Sequence, residues 1–117
     1  MEKYFFRYII KMRRHHISKT TTYSSPSVNY TNAVMSNCDL TGHSMPNGIF
    51  VNMVANGANF SGDNMQGGDF VNADLENANL SGADLAGADF VNANLTGANL
   101  NGANTSGANF CNTIGGP

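Results

Sequence analysis

Residues 58–110 read, in fives, ANFSG DNMQG GDFVN ADLEN ANLSG ADLAG ADFVN ANLTG ANLNG ANTSG ANF. The second position of each of these eleven units is Asn or Asp, nine first positions are Ala, and ten middle positions are Leu, Phe or Met. A period this strict defines a structural unit. Five residues match neither the 3.6-residue turn of a helix nor the two-residue alternation of a strand. They suit a short extended run closed by a turn, with Gly or Asn last because both tolerate positive φ.

The frame continues backward without a slip through VNYTN AVMSN CDLTG HSMPN GIFVN MVANG over residues 28–57, making 17 units in one register up to Asn112. Aromatic middle residues recur at Tyr30, Phe50, Phe70, Phe90 and Phe110, every 20 residues. A 20-residue superperiod is what a square coil of four fives would leave in the sequence. It places the aromatics in one interior column, with coils stacked at roughly the 4.8 Å of strand pairing. The same register puts Asn32, Asn52, Asn72, Asn92 and Asn112 at one corner. There they are expected to form a hydrogen-bonded Asn ladder.

Units such as ADLEN, ADLAG and ANLTG resemble the pentapeptide repeat proteins, whose consensus is A-(D/N)-L-x-x. The resemblance covers about three quarters of the chain. It implies an all-β solenoid, a right-handed four-sided β-helix of about four coils, with the middle residue and the small first residue pointing inward. For function it implies little.

A chain of 117 residues, 41% hydrophobic and 12% charged, fits one globular domain. No apolar run reaches the roughly 18 residues that span a bilayer. The charge is segregated. All six basic residues lie in the first 19 positions beside Glu2, while the other seven acids begin at Asp39, so a head of +5 precedes a body of −7. Three regions follow: a basic amphipathic head and Ser/Thr linker (1–27), the repeat array (28–112) and a short tail (113–117).

If residues 3–17 are helical, Lys3, Arg7, Lys11 and Arg14 share one side, and Phe5, Phe6, Ile9 and Met12 lie on the other. Basic, hydroxyl-rich, acid-poor and amphipathic, the head has the composition of an organellar, especially mitochondrial, targeting segment; a cytoplasmic protein is the alternative. Equally, its apolar face could cap the first coil, because a solenoid end exposes core. Anchoring at a membrane surface is a third use. The head lacks a base-reading pattern, which argues against a nucleic-acid partner.

Departures from consensus cluster between His43 and Asp63, which occupy the inward first position in consecutive coils. Metal binding needs three or four ligands and nucleophilic catalysis needs a nucleophile, so the expected role is a buried hydrogen-bonded polar pair or a locally distorted coil. No catalytic, cofactor-binding or metal-binding residue is expected. Met35, Met45, Met53 and Met65 read as adaptable core fillers. Cys38 and Cys111, more than three coils apart, are too distant to bridge.

The outward fourth position is usually polar, but beside the aromatic column it is Val51, Val71, Val91 and Cys111. That apolar stripe is a candidate protein interface. The end of the array, with Phe110 and Ile114, is a second, suited to a partner subunit or to a homodimer.

Two functions compete. The first is a non-catalytic structural or protein-interaction module, a docking or accessory subunit of a larger assembly. The second comes from the family resemblance: a DNA mimic that inhibits topoisomerase (gyrase) or protects it. The acids are spread over the walls rather than ranked along one, which argues against imitation of a phosphate track.

Overall fold

The computed structural model describes residues 27–116. Every unit repeats one chain path. In 16 of the 17 units the middle carbonyl accepts the N–H of the residue three positions on, as in Ala73 N to Phe70 O at 3.0 Å, which closes a β-turn around the fourth and fifth residues. All 17 fifth positions, eight Asn and nine Gly, have positive φ, from Asn52 at 57° to Gly42 at 78°. Positive φ at the third residue of a turn, and not at the second, is the type II arrangement. Asn and Gly occupy these corners because other side chains resist the left-handed region.

Four such turns bring the chain back over itself. Parallel bridges join residues 20 apart, from Asn29 and Ile49 through Asp89 and Asn109. They widen to two-residue strands only at β1 (Asn94–Leu95) and β2 (Ile114–Gly115), where Asn94 lies opposite Ile114 and Leu95 opposite Gly115. With two of every five residues spent in a turn, each strand is a single rung. Three backbone bonds per wall tie coil to coil: Phe70 N to Asp89 O, Asn72 N to Val91 O, and Asp69 N to Gly48 O, at 2.7–3.0 Å.

The four walls are as follows. Units 28–32, 48–52, 68–72, 88–92 and 108–112 form the first, and 33–37, 53–57, 73–77 and 93–97 the second. Units 38–42, 58–62, 78–82 and 98–102 form the third, and 43–47, 63–67, 83–87 and 103–107 the fourth. First and middle positions point inward, so the core is a stack of small and large side chains repeated coil by coil. The column from the first wall is aromatic. The Phe50, Phe70, Phe90 and Phe110 rings stack at 4.5, 4.7 and 5.1 Å within 15° of parallel, and Tyr30 tilts 30° onto Phe50 at 5.9 Å. Gly48 is required here, since a Cβ would lie 2.6 Å from the Phe50 ring.

The corner asparagines do not form the expected ladder. Asn32, Asn52, Asn72 and Asn92 are exposed, and their role is conformational: each holds a left-handed corner. The proposed head helix lies outside the described residues.

The two ends of the array differ. Val28, Tyr30, Met35, Leu40 and Met45 in the first coil are buried, whereas Ala98, Leu100, Ala103 and Phe110 in the last are only half-buried. Beyond Ile114 the chain turns across the array through Gly115 and Gly116, both at positive φ. A Cβ on Gly116 would sit 3.0 Å from Leu95 Cδ1, and Leu95 stays fully buried beneath that crossing.

Candidate functional site

The outward surface is built mainly from second and fourth positions, and a local bond couples the two. The fourth-position N–H points away from the coil above and needs an acceptor. In 13 of the 17 units the second-position Asn or Asp supplies it through Oδ1, as in Val71 N to Asp69 at 3.1 Å and Ser81 N to Asn79 at 3.0 Å. Each is an Asx-turn, the side chain imitating a backbone turn. This bond accounts for the near-invariant Asn/Asp in the repeat. Thr41 adds its hydroxyl to the Asp39 carboxylate at 2.7 Å. Those two bonds from Thr41, hydroxyl before backbone, hold the Asp39 carboxyl below its ordinary range.

Four units break the rule. Ser44 precedes Pro46, which has no N–H to satisfy. Val34, Ile49 and Val54 have no such excuse: they leave the N–H groups of Ser36, Val51 and Asn56 without the usual acceptor. All three lie in the first two coils on the first and second walls. Val34 is 75% exposed, and Ile49 and Val54 are half-buried. Val34 pairs directly with Val54 in the ladder. Reading only the fourth positions misses this patch; the signal that reveals it is the loss of Asn/Asp at the second.

The valine stripe lies where the register puts it, on the first wall, but Val51, Val71 and Val91 are half-buried, and only Cys111 is exposed. Phe110 is half-buried against Phe90, and Ile114 is 62% exposed on the second wall. Lys3, Arg7, Lys11, Arg14, Phe5, Phe6, Ile9 and Met12 lie outside the described residues.

His43 and Asp63 are neighbours across one coil step on the fourth wall, and the backbone of one is bonded to the carboxylate of the other. His43 Nδ1 lies 2.8 Å from the Leu40 carbonyl, the acceptor of the usual turn bond. The displaced His43 backbone N–H donates instead to Asp63 Oδ1 at 3.1 Å. Asp63 is only 1% exposed, and its Oδ2 has no protein partner. Burial pushes its carboxyl above the ordinary range, against the lowering effect of the His43 N–H. The arrangement repairs a turn; it presents no nucleophile to a cleft. Among the described residues no three His, Cys, Asp or Glu side chains gather to hold a metal. Cys38 and Cys111 are both free.

The outward acids follow the walls. Asp69 and Asp89 stack on the first; Asp74 and Glu76 lie on the second. Asp39 is on the third, and Asp84 on the fourth, where Gln66 Nε2 reaches it at 2.7 Å.

Comparison with known proteins adds a lineage to this geometry. The family described as "Pentapeptide repeats (8 copies)" matches residues 56–92 and 78–114. A pentapeptide repeat protein from the Arabidopsis thaliana thylakoid lumen is 42% identical over 68% of this chain and 55% of its own, with a TM-score of 0.65. Rfr23 of the cyanobacterium Cyanothece 51142 is 31% identical over 78% of this chain and 66% of its own, at 0.59. A pentapeptide repeat protein of Nostoc Pcc 7120 is 29% identical over 83% and 72%, at 0.65. The chain thus spans less than two thirds of the first two. These neighbours imply that the helix of coils is right-handed. No curated protein matches the sequence.

Proposed function

The chain belongs to the pentapeptide repeat family, and we propose that it is a non-catalytic docking module, an accessory subunit that presents rigid walls to a protein partner. The observation that carries this reading is the use of the polar side chains. The carboxylates of Asp39, Asp69, Asp74, Asp84 and Asp89 each hold a backbone N–H, so groups that could do acid–base work are committed to shaping the surface. That surface is stiff, since each coil is bonded to the next along every wall.

The partner contact is assigned to the first wall, along Val51, Val71, Val91 and Cys111, with Phe110 and Ile114 as a second contact on the last coil. The head, residues 1–27, is proposed as an anchor or as a cap for the first coil, on the strength of its basic amphipathic pattern. The thylakoid-lumen relative supports an organellar compartment, while a mitochondrial one rests on the composition of the head alone. The test is co-purification on the full chain against the double variant Val71→Lys, Val91→Lys, with circular dichroism to confirm folding. A partner lost from the folded variant supports the docking wall. An unchanged set of partners refutes it, and inhibition or protection in a gyrase supercoiling assay would replace it with the DNA-mimic reading.

A further inference from the structure

The outward faces of the first and second walls change along the axis. In the first two coils they carry Val34, Ile49, Val51 and Val54; in the third and fourth they carry Asp69, Asp74, Glu76 and Asp89, while Val71 and Val91 continue the line of Val51. Six acids point outward in the array, and four of them lie on these two walls. None of the body's acids faces a Lys or Arg from the array, because residues 20–117 contain neither. The aliphatic half is not a by-product of the fold. Val34, Ile49 and Val54 occupy the position where 13 other units use Asn or Asp to satisfy a backbone N–H. Each forgoes a local hydrogen bond to put an apolar side chain on the surface. Partly exposed aliphatic surface beside acids that have no Lys or Arg among the described residues matches one kind of ligand chemistry, a segment that is apolar along one part and basic along the other.

We propose that this strip docks a basic amphipathic segment of a protein partner, lying along the coil axis with its apolar side chains over Val34, Ile49, Val51 and Val54 and its Lys/Arg side chains toward Asp69, Asp74, Glu76 and Asp89. From first to fourth coil the strip rises roughly 14 Å at strand spacing, the length of about ten residues of helix. The apolar part sets where the segment sits, and the acids set its direction and speed its capture. The inference rests on the docking-module reading and names the class of partner for an adjoining surface.

The probe is a fluorescein-labelled Leu/Lys amphipathic peptide of about 14 residues, titrated against the full chain by fluorescence anisotropy. A peptide of the same composition, scrambled so that charge and apolar residues mix, is the control. The amphipathic peptide is expected to bind, weakening as salt rises, and the scrambled one to bind at least about tenfold more weakly. In the triple variant Val34→Asn, Ile49→Asn, Val54→Asn the Asx acceptor returns, so Tm should hold or rise while affinity falls about tenfold or more. Asp69→Asn, Asp74→Asn, Asp89→Asn keeps every acceptor and should remove most of the salt dependence. Equal binding of the two peptides, or unchanged affinity in either triple variant, overturns the proposal. So does self-association in sedimentation that the aliphatic variant abolishes, since the occupant would then be a second copy. If the peptide fails while Val71→Lys, Val91→Lys still loses its partner, the docking module stands and only the partner class falls.

Discussion

The first two coils (28–67) and the rest of the array (68–112) follow one backbone path with different degrees of sequence regularity. In the later region all nine second positions are Asn or Asp and each holds its Asx-turn; in the earlier one four of eight are something else. Yet the corners have the same positive φ and the rungs the same 20-residue spacing in both. The difference separates two duties within the unit. Fifth and middle positions set the path and fill the core, whereas the second position is a local lock that can be released where the surface serves another purpose.

The aromatic column runs through both regions, so breaking it gives the largest effect. Phe70→Ala, with rings stacked on either side, should cost about 3–5 kcal/mol in urea unfolding. A loss below about 1 kcal/mol would show that the two regions do not share a core. Next comes the repaired turn. Asp63→Ala strips the acceptor from the His43 N–H and should cost about 1–3 kcal/mol. Asp63→Asn keeps Oδ1 and removes a buried charge. Because the folded-state pKa of Asp63 is raised by burial, its contribution to stability is fullest below the ordinary carboxylate range and is lost as pH rises through the raised value. Asp63→Asn should therefore melt above the wild type at neutral pH, with the gap closing toward acid. A constant gap across the titration would assign the effect to something other than that carboxyl.

A smaller effect tests the lock directly. Asn79→Ala in the regular region should cost about 1 kcal/mol, whereas Val54→Asn in the irregular one should be neutral or stabilising. Equal losses at the two sites would deny that position 54 has given anything up. Smallest is a corner: Asn72→Gly should shift stability by about 0.5 kcal/mol or less, since glycine adopts the φ of 60° found there. A large loss would restore the Asn ladder that the structure does not show.

Period and column were legible in the sequence because a strict register is itself geometric information. The 20-residue recurrence of Tyr30, Phe50, Phe70, Phe90 and Phe110 predicts the ring stack directly. What each polar atom does was not legible, since a register says which residues align but not where their lone pairs point. Asn52 and Asn59 are the same residue type at the same period, and one sets a left-handed corner while the other binds the N–H of Ser61. The fault at His43 and Asp63 was visible as a break in the small-residue pattern. That Nδ1 would take the Leu40 carbonyl and leave the backbone N–H to Asp63 depended on atomic reach. Val34, Ile49 and Val54 became conspicuous only once the Asx-turn explained what their neighbours were for.

The 20-residue rung spacing also makes the molecule a ruler with a protractor attached. Duplicating residues 68–87 would move everything beyond them one step along the axis, about 4.8 Å, and keep each residue on its own wall. Duplicating a single unit would instead rotate all that follows by a quarter turn, carrying Asp89 onto the wall of Asp74 and setting Phe90 beneath Leu75. Length can thus be changed in whole coils without moving any surface feature to another face, while any shorter insertion redraws the surface.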